Sequence, residues 1–341
     1  MPTSRNRAQS RTRTLAPLAA LAAALLAAAL FAGCSAPEEN ETPASVSPVT
    51  IADLPGQKPV VIPAVPQRIV AVGTQWIDTV LAFGVTPVGY LTGQTDPAQK
   101  APWTGDKLNS STAITSPTDP SAQITQIAKL NPDLILVPSY APAALRDQLA
   151  ALAPTIGAVS ASSVDPWDKL VTVLGTALRE PEKATELING VNEKYSSVKT
   201  ANPGLADKTY SLSFMYTPTQ ISVLGDPNDG AGQIFTSIGL KVSPTVAAER
   251  ARQGNAPRFT IGLENVPVLD ANLVLATGAT PQLDQQFRSL PGYSNLAGVK
   301  AGAAPALTSD EINALNTPSV LSIPWVLDRL NPALAATAKQ S

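Results

Sequence analysis

The sequence predicts an α/β protein of two similar halves joined by a helical connector. Three observations carry that expectation. Short β-branched runs alternate with helix-period segments in both halves of the chain. A long helical stretch, from about Asp165 to Asn202, separates them. And one helix-to-strand joint occurs twice: Thr125-Gln-Ile-Ala-Lys-Leu-Asn-Pro-Asp-Leu-Ile-Leu-Val aligns with Glu264-Asn-Val-Pro-Val-Leu-Asp-Ala-Asn-Leu-Val-Leu-Ala. Such joints are common, so chance likeness is the alternative to duplicated architecture. The repeated order of the surrounding elements favours duplication.

The elements follow in order. Arg68-Ile-Val-Ala-Val-Gly73 reads as a buried strand. Thr74 is a good N-cap for a helix over Gln75–Phe83, with Ile77, Val80 and Leu81 on one stripe and Gly84 as the residue that ends it. An extended path resumes at Val85–Tyr90. Ile124, Ile127 and Leu130 mark a short helix stopped by Asn131-Pro132, and Asp133 looks structural in the Pro-Asp turn before a buried strand to Val137. Pro142–Leu152 reads as helix and Thr155–Val159 as strand. This alternation implies a parallel sheet covered on both faces. Asp165-Pro166-Trp167-Asp168 is a helix start with an Asp cap and Pro at the first position, and the helix runs to about Leu178. A second helix spans about Pro181–Val198. Beyond it lie strands over Thr209–Tyr216 and Ile221–Leu224, the turn Gly225–Gly230, and a helix over Ala231–Ile238, with Gly239 where Gly84 stood. The Gly225–Gly232 stretch lacks a phosphate-cradle pattern and reads as a turn.

The chain opens with Arg5, Arg7, Arg11 and Arg13, an apolar run from Leu15 to Phe31, and Ala32-Gly33-Cys34. Positive, apolar and small-residue regions in that order form an export signal. Cys34, the only cysteine, resembles the lipidated residue of a bacterial lipoprotein lipobox, although that motif usually has Leu where Phe31 stands. An uncleaved anchor is the other reading. At about 17 residues the run is at the short limit for spanning, Pro17 interrupts it, and Ala dominates over Leu. The expected organisation is signal peptide 1–33, polar linker 34–48, first lobe 49–165, connector 166–202 and second lobe 203–341. Loss of the signal removes four Arg and no acid, moving the formal net charge from −2 to −6. An acidic surface argues against a nucleic-acid partner. With Cys34 lipidated, no disulfide is available, so stability rests on the core. Histidine is absent, which excludes Ser-His-Asp and Cys-His catalysis and His-based metal sites.

The runs Arg68-Ile-Val-Ala-Val-Gly, Gly84-Val-Thr-Pro-Val-Gly, Asn131-Pro-Asp-Leu-Ile-Leu and Leu152-Ala-Pro-Thr-Ile resemble the substrate-binding lipoproteins of iron-siderophore ABC importers. That family also includes cobalamin and haem binders, and the resemblance spans about Pro63 to Leu330. It implies two Rossmann-like lobes joined by a single long spine helix, here Pro181–Val198, with the ligand in the cleft between them. It implies a binding protein rather than an enzyme, and a permease with its ATPase as partner. It also implies a preformed ferric chelate as ligand, no resident metal or cofactor, and monomeric tethering to the membrane through the lipid alone. One glutamate per lobe meets the permease in that family. Glu264 falls on the second position and Thr125 on the first, where Gln123 or Gln126 supplies a hydrogen bond without charge. An ordinary first-turn helix acid is the other reading of Glu264.

Ligands of open parallel sheets sit beyond the carboxyl ends of the strands. That rule points to Thr74–Trp76, Tyr90–Gln94 with Trp103, and Ser139-Tyr140 in the first half. In the second half it points to Tyr216-Thr217, Thr277–Thr280 and a loop bearing Arg250, Arg252 and Arg258. Trp76, Trp103, Tyr140 and Tyr216 lead as ligand contacts, followed by Arg250 and Arg258. Flat rings suit planar chelates and arginine pairs with anionic oxygens. The bland alternatives are core packing for Trp76 and Tyr90, a solvated loop for the arginines, and packing of the C-terminal helix for Trp325. Cobalamin or haem is the alternative ligand, and lack of His disfavours His-ligated haem. A surface hydrolase lacks its Gly-x-Ser-x-Gly motif, and a non-transporting sensory or structural lipoprotein is the remaining class.

Overall fold

Local apolar runs too short to stand alone pair into three sheets. The computed structural model describes residues 47–92, 100–115 and 120–341. The export segment, Cys34, most of the linker and Gln94 lie outside them. An antiparallel ribbon comes first, β1 (Val49–Ile51) against β2 (Val60–Ile62). It was not expected from the sequence, where each strand offers only three residues of pattern.

The first α/β half contains β3 (Ile69–Val72), α1 (Thr74–Ala82), β4 (Gly89–Leu91), β5 (Thr112–Ala113), α2 (Pro120–Lys129), β6 (Leu134–Leu136), α3 (Ala143–Ala150) and β7 (Thr155–Ile156). Its sheet runs β5-β4-β3-β6-β7 with every pair parallel. Every residue of β3, β4 and β6 is buried, as a sheet covered on both faces requires. Ile69, Ala71, Leu134 and Leu136 join the larger core, whereas Val70, Val72, Ile135 and Val137 pack with Ile127 and Leu149 on the other face. Asp133 sets the strand register from below. Its carboxylate accepts the backbone N–H groups of Gln67 at 2.7 Å and Arg68 at 2.8 Å.

Two helices follow, α4 (Trp167–Leu178) and α5 (Pro181–Ala201). At 21 residues α5 is about 31 Å long. It buries Ala184, Val191, Tyr195 and Val198 along one stripe. Asp165 does not cap α4; Pro166 occupies that place, and Asp165 turns back to accept Val159 N–H and Ser160 Oγ. Likewise Thr74 is the first residue of α1, and the cap is Gly73 with φ 86°, a left-handed value that favours glycine. Gly84 and Gly239 close their helices with positive φ, as expected.

The second half contains β8 (Thr209–Thr217), β9 (Gln220–Leu224), α6 (Gly230–Ser237), β10 (Lys241–Val242), α7 (Pro244–Arg252), β11 (Arg258–Gly262), β12 (Leu273–Gly278), α8 (Pro281–Arg288), α9 (Ala297–Lys300), α10 (Ser309–Asn316) and α11 (Ser322–Ala338). β8 is the hub. It pairs parallel with β12 and β10 and antiparallel with β9, which pairs antiparallel with β11. The halves are therefore alike in plan but not in sheet: the first is wholly parallel, the second mixed. The repeated joint diverges too. Thr125 lies on the α-helix α2, but Glu264 lies on a 3-10 segment, Leu263–Leu269, that contains Pro267. Proline there lacks the N–H that an α-helix needs. The Arg250–Arg258 stretch is not one loop. Arg250 and Arg252 end α7, and Arg258 starts β11. Apolar residues of both halves, from Ile69 and Leu134 to Leu224 and Leu275, belong to one continuous core with α4, α5 and α11.

Asp133→Ala should leave two backbone donors without their carboxylate partner. Both are near solvent, so the expected loss is about 1–2 kcal/mol, read from the urea midpoint. Asp133→Asn, which keeps one acceptor, should lose less.

Candidate ligand cleft

The carboxyl ends of β3, β4 and β6 bring Gly73–Gln75, Thr92 and Pro138–Tyr140 to one edge of the first sheet. Helix α10 meets that edge. Asp310 and Asn313, with Thr317 just beyond, line hollows of the first half. Ile312, Leu315 and Asn316 line a hollow of the second half. The spacings of three and four residues put these sets on two faces of a single helix. One small hollow lies beside Gly73, Trp76 and Tyr140. A second is walled by Thr74, Asp78, Trp103 and Asp310. A third lies beneath Phe214, Ser222, Arg258 and Thr277, and each of the three has a free volume of about 20 Å³. Larger grooves occur along α5 and beside α3, but they are open surface without the strand ends.

Local chemistry fixes α10. Thr308 and Glu311 form a capping box: Thr308 Oγ1 accepts Glu311 N–H at 3.3 Å, and Glu311 Oε2 accepts Thr308 N–H at 2.7 Å. Glu311 Oε1 accepts Arg329 Nε of α11 at 3.1 Å. The segment after α10 is tied to α1. Gln75 Nε2 donates to Pro318 O at 2.7 Å and to Asp165 O at 2.9 Å. Ser319 Oγ donates to Asp78 Oδ2 while accepting the N–H groups of Leu321 and Ser322 at the start of α11. The sequence reading passed over α10. Its Thr-Ser-Asp-Glu signature was the signal that would have found it.

Residues 69–310 match the family described as periplasmic binding protein. The chain belongs to that family. Among relatives, it is 27% identical over 255 residues to YfiY of Bacillus subtilis, named as a candidate siderophore-binding lipoprotein, covering 71% of this chain and 75% of that one. The structure of a periplasmic solute binding protein from Mycobacterium smegmatis superposes with TM-score 0.71 at 25% identity, covering 85% of this chain and 99% of that one. Staphylococcus aureus SirA complexed with staphyloferrin B superposes with TM-score 0.69 at 19% identity, covering 85% and 98%. At that identity the likeness to SirA is one of fold.

The expected contact residues of this periplasmic binding protein fall in different settings. Trp76 is 1% exposed, and its Nε1 donates to Val137 O at 2.9 Å, so its ring belongs to the core and only edges the hollow. Tyr90 is likewise buried. Trp103 is half-buried; it packs against Trp325 with the rings tilted by 54° and their centroids 5.0 Å apart, and donates through Nε1 to Asp78 Oδ2 at 2.8 Å. Tyr140 is 68% and Tyr216 56% exposed, one on each half. Tyr216 packs on Phe214 at 4.1 Å. Arg258 grips Asp229 through Nε and Nη2 at 3.2 Å and Asn316 Oδ1 through Nη1 at 3.1 Å, so it is held in the wall of the second-half hollow. Arg250 is paired with Asp226 at 3.2 Å and lines none of the three hollows. Thr125 and Glu264 are exposed. Thr125 Oγ1 donates to Ser121 O at 2.9 Å, and Glu264 Oε1 accepts Asn265 Nδ2 at 2.9 Å.

Asp78 was not anticipated. It lies on the buried side of α1, where the apolar stripe Ile77, Val80 and Leu81 gave no sign of a carboxylate. Burial pushes it up to about 7 from an ordinary value of 3.8, although the bonds from Ser319 and Trp103 and the charge of Lys107 oppose the rise. The unfolded chain releases this proton near 3.8 and the folded chain near 7. Between those values the folded state holds the extra proton, so folding stability falls as pH rises and levels off above neutrality. Asp78→Asn keeps an acceptor for Trp103 and Ser319 and removes the ionisation. Urea midpoints should then show a gain of a few kcal/mol over the parent near pH 8 that shrinks near pH 5. Parallel pH slopes for the two proteins would exclude Asp78 as the titrating group.

Proposed function

We propose that this chain is an extracytoplasmic receptor that captures a ferric siderophore in the cleft around α10 and delivers it to an ABC importer. The observation that carries the reading is the arrangement of α10, which turns one face to the strand ends of the first half and the other to Arg258 and the second sheet. A ligand seated there touches both halves. Exposed Tyr140 and Tyr216 supply rings, and Arg258, already oriented by Asp229 and Asn316, supplies N–H donors for anionic oxygens. Among the described residues no group of three or more His, Cys, Asp or Glu stands where it could hold a metal ion. On this reading the iron arrives as a preformed chelate. The siderophore-binding name of YfiY and the staphyloferrin B in the SirA structure support this ligand class.

The same reading assigns Cys34 as the lipid attachment point. It gives Glu264 the role of a docking charge for the permease, with Thr125 as its uncharged counterpart on the first half. Both are exposed and lie outside the three hollows.

Trp103 and Trp325 make the cleft fluorescent. A soluble Ser35–Ser341 fragment titrated with ferric catecholates, ferric hydroxamates, ferric citrate, cobalamin and haemin should show saturable quenching by one ferric class. Arg258→Ala should weaken that binding about tenfold, the worth of one charge-assisted hydrogen bond. Saturation by cobalamin or haemin instead would keep the receptor role and replace the ligand; binding of none of the panel would favour a non-transporting lipoprotein.

Glu264→Ala should bind ligand as the parent does and reduce uptake in cells that depend on this protein. Unchanged uptake would remove Glu264 from the docking surface.

A further inference from the structure

Arg258 is the cation in the wall of the second-half hollow, and the fold neutralises it in place. Its Nε and Nη2 donate to the two carboxylate oxygens of Asp229, both at 3.2 Å, as a side-on bidentate pair. Nη1 donates to Asn316 Oδ1 at 3.1 Å. A guanidinium has five N–H groups, so these three bonds leave two for a ligand. The Arg258 side chain keeps 37% of its surface exposed, whereas that of Asp229 keeps 7%. Asp229 is also the cap of α6, where its Oδ1 accepts Ala231 N–H at 3.3 Å. It is fixed from two sides, and the pair stays closed. A ligand at Arg258 meets the donors of a guanidinium without a net charge.

The neighbouring charges do not restore a positive field. Arg250 is matched by Asp226, which lies on the same turn as Asp229, at 3.2 Å. Among the described residues, Lys100 is the only other Lys or Arg in the walls of the three hollows. Asp310 lines the same hollow as Lys100, and Asp165 lines the one beside Tyr140. Residues 93–99 and 116–119, outside the described set, contain no Lys or Arg. The chain as a whole has a formal net charge of −2, so it exerts no long-range pull on anions. A chelate with several negative charges leaves water only at high cost unless cations meet it. Trivalent iron held by three monoanionic hydroxamates is neutral. Held by three dianionic catecholates it is a trianion, and its citrate chelates are anionic as well.

We propose that Asp229 is a specificity-determining residue: by neutralising Arg258 it selects ferric chelates without net negative charge, the trihydroxamate class, over anionic catecholate and citrate chelates. This rests on the receptor reading above and narrows its ligand. The two open N–H groups of Arg258 serve as donors to hydroxamate oxygens, which need hydrogen bonds but no countercharge.

The test is calorimetric titration of the parent, Asp229→Asn, Asp310→Asn and Asp226→Asn. The probes are an uncharged cyclic ferric trihydroxamate, a hexadentate ferric tris-catecholate and ferric citrate, each in about 0.05 M and about 0.5 M sodium chloride. Asparagine at 229 keeps a cap for α6 and an acceptor for Arg258 while unmasking one positive charge. The parent should bind the trihydroxamate about tenfold or more tighter than either anionic probe. In Asp229→Asn the ratio of anionic to neutral affinity should rise about tenfold at low salt and less at high salt. Asp310→Asn, which removes an acid from the α10 side, should move the ratio the same way. Asp226→Asn unmasks its charge at Arg250, outside the hollows, and should move it least. A parent that prefers the tris-catecholate or citrate overturns the proposal and leaves the receptor function standing. So does a ratio that Asp229→Asn leaves unmoved, or that Asp226→Asn moves as far. Binding of none of the three probes overturns the receptor reading itself, and the selectivity with it.

Discussion

Helix α1 holds the chain between α10 and α11, and the geometry of the cleft depends on that grip. Gln75 and Asp78 sit one helical turn apart, so both side chains point the same way. One binds the carbonyl of Pro318 and the other the hydroxyl of Ser319. Ser319 in turn receives the first N–H groups of α11. Without these bonds α10 would keep its contacts with α6 and α11 and the bond from Arg258 to Asn316, but lose the hydrogen bonds that tie its far end to the first half. The two faces of α10 serve as walls for both halves because its far end is pinned to α1.

The grip places a carboxylate in the core. A buried charge is costly unless it is paired or neutralised. Asp78 is partly both: two donors meet one oxygen, and burial raises its proton affinity until the neutral form is populated near physiological pH. The same residue orients Trp103, whose indole packs at a tilt against Trp325 of α11. A single acidic side chain thus couples the tie between α1 and α11, the orientation of a cleft aromatic, and the charge of a hollow. Arg258 has the corresponding place in the second half, where Asp229 and Asn316 share its guanidinium and leave it rigid in the wall. A rigid arginine loses less entropy on binding than a mobile one.

Much of the first sheet was legible in the sequence because its strands are buried on both faces and read as continuous β-branched runs. Ile69–Val72 and Leu134–Leu136 are such runs, and Gly84 and Gly239 mark helix ends through their backbone freedom. The spine helix was legible from Pro181 and its long polar pattern. The second sheet was less so. β11 has only five residues, alternates exposed with buried, and begins with Arg258, so it resembles a charged loop. α7 is weakly apolar, with Val246 its only buried side chain. Caps were the least readable feature. Asp165 and Thr74 have the right chemistry at the right place, yet Asp165 is engaged by Val159 and Ser160, and Gly73 takes the cap of α1.

The sequence by itself determined the class of this protein: an α/β chain of two related halves and a spine, lacking the histidines on which much catalysis depends. Those properties follow from local periodicity and from residue types present or absent. Only the tertiary structure decided which aromatics face the cleft. Trp76 and Trp103 look alike in the sequence, but one is sealed by a bond to Val137 O and the other stands between Asp78 and Trp325. It alone also brought Asp78 and Ser319 together across 241 residues of chain. Contacts of that separation come from the packing of whole elements, and no local pattern encodes them.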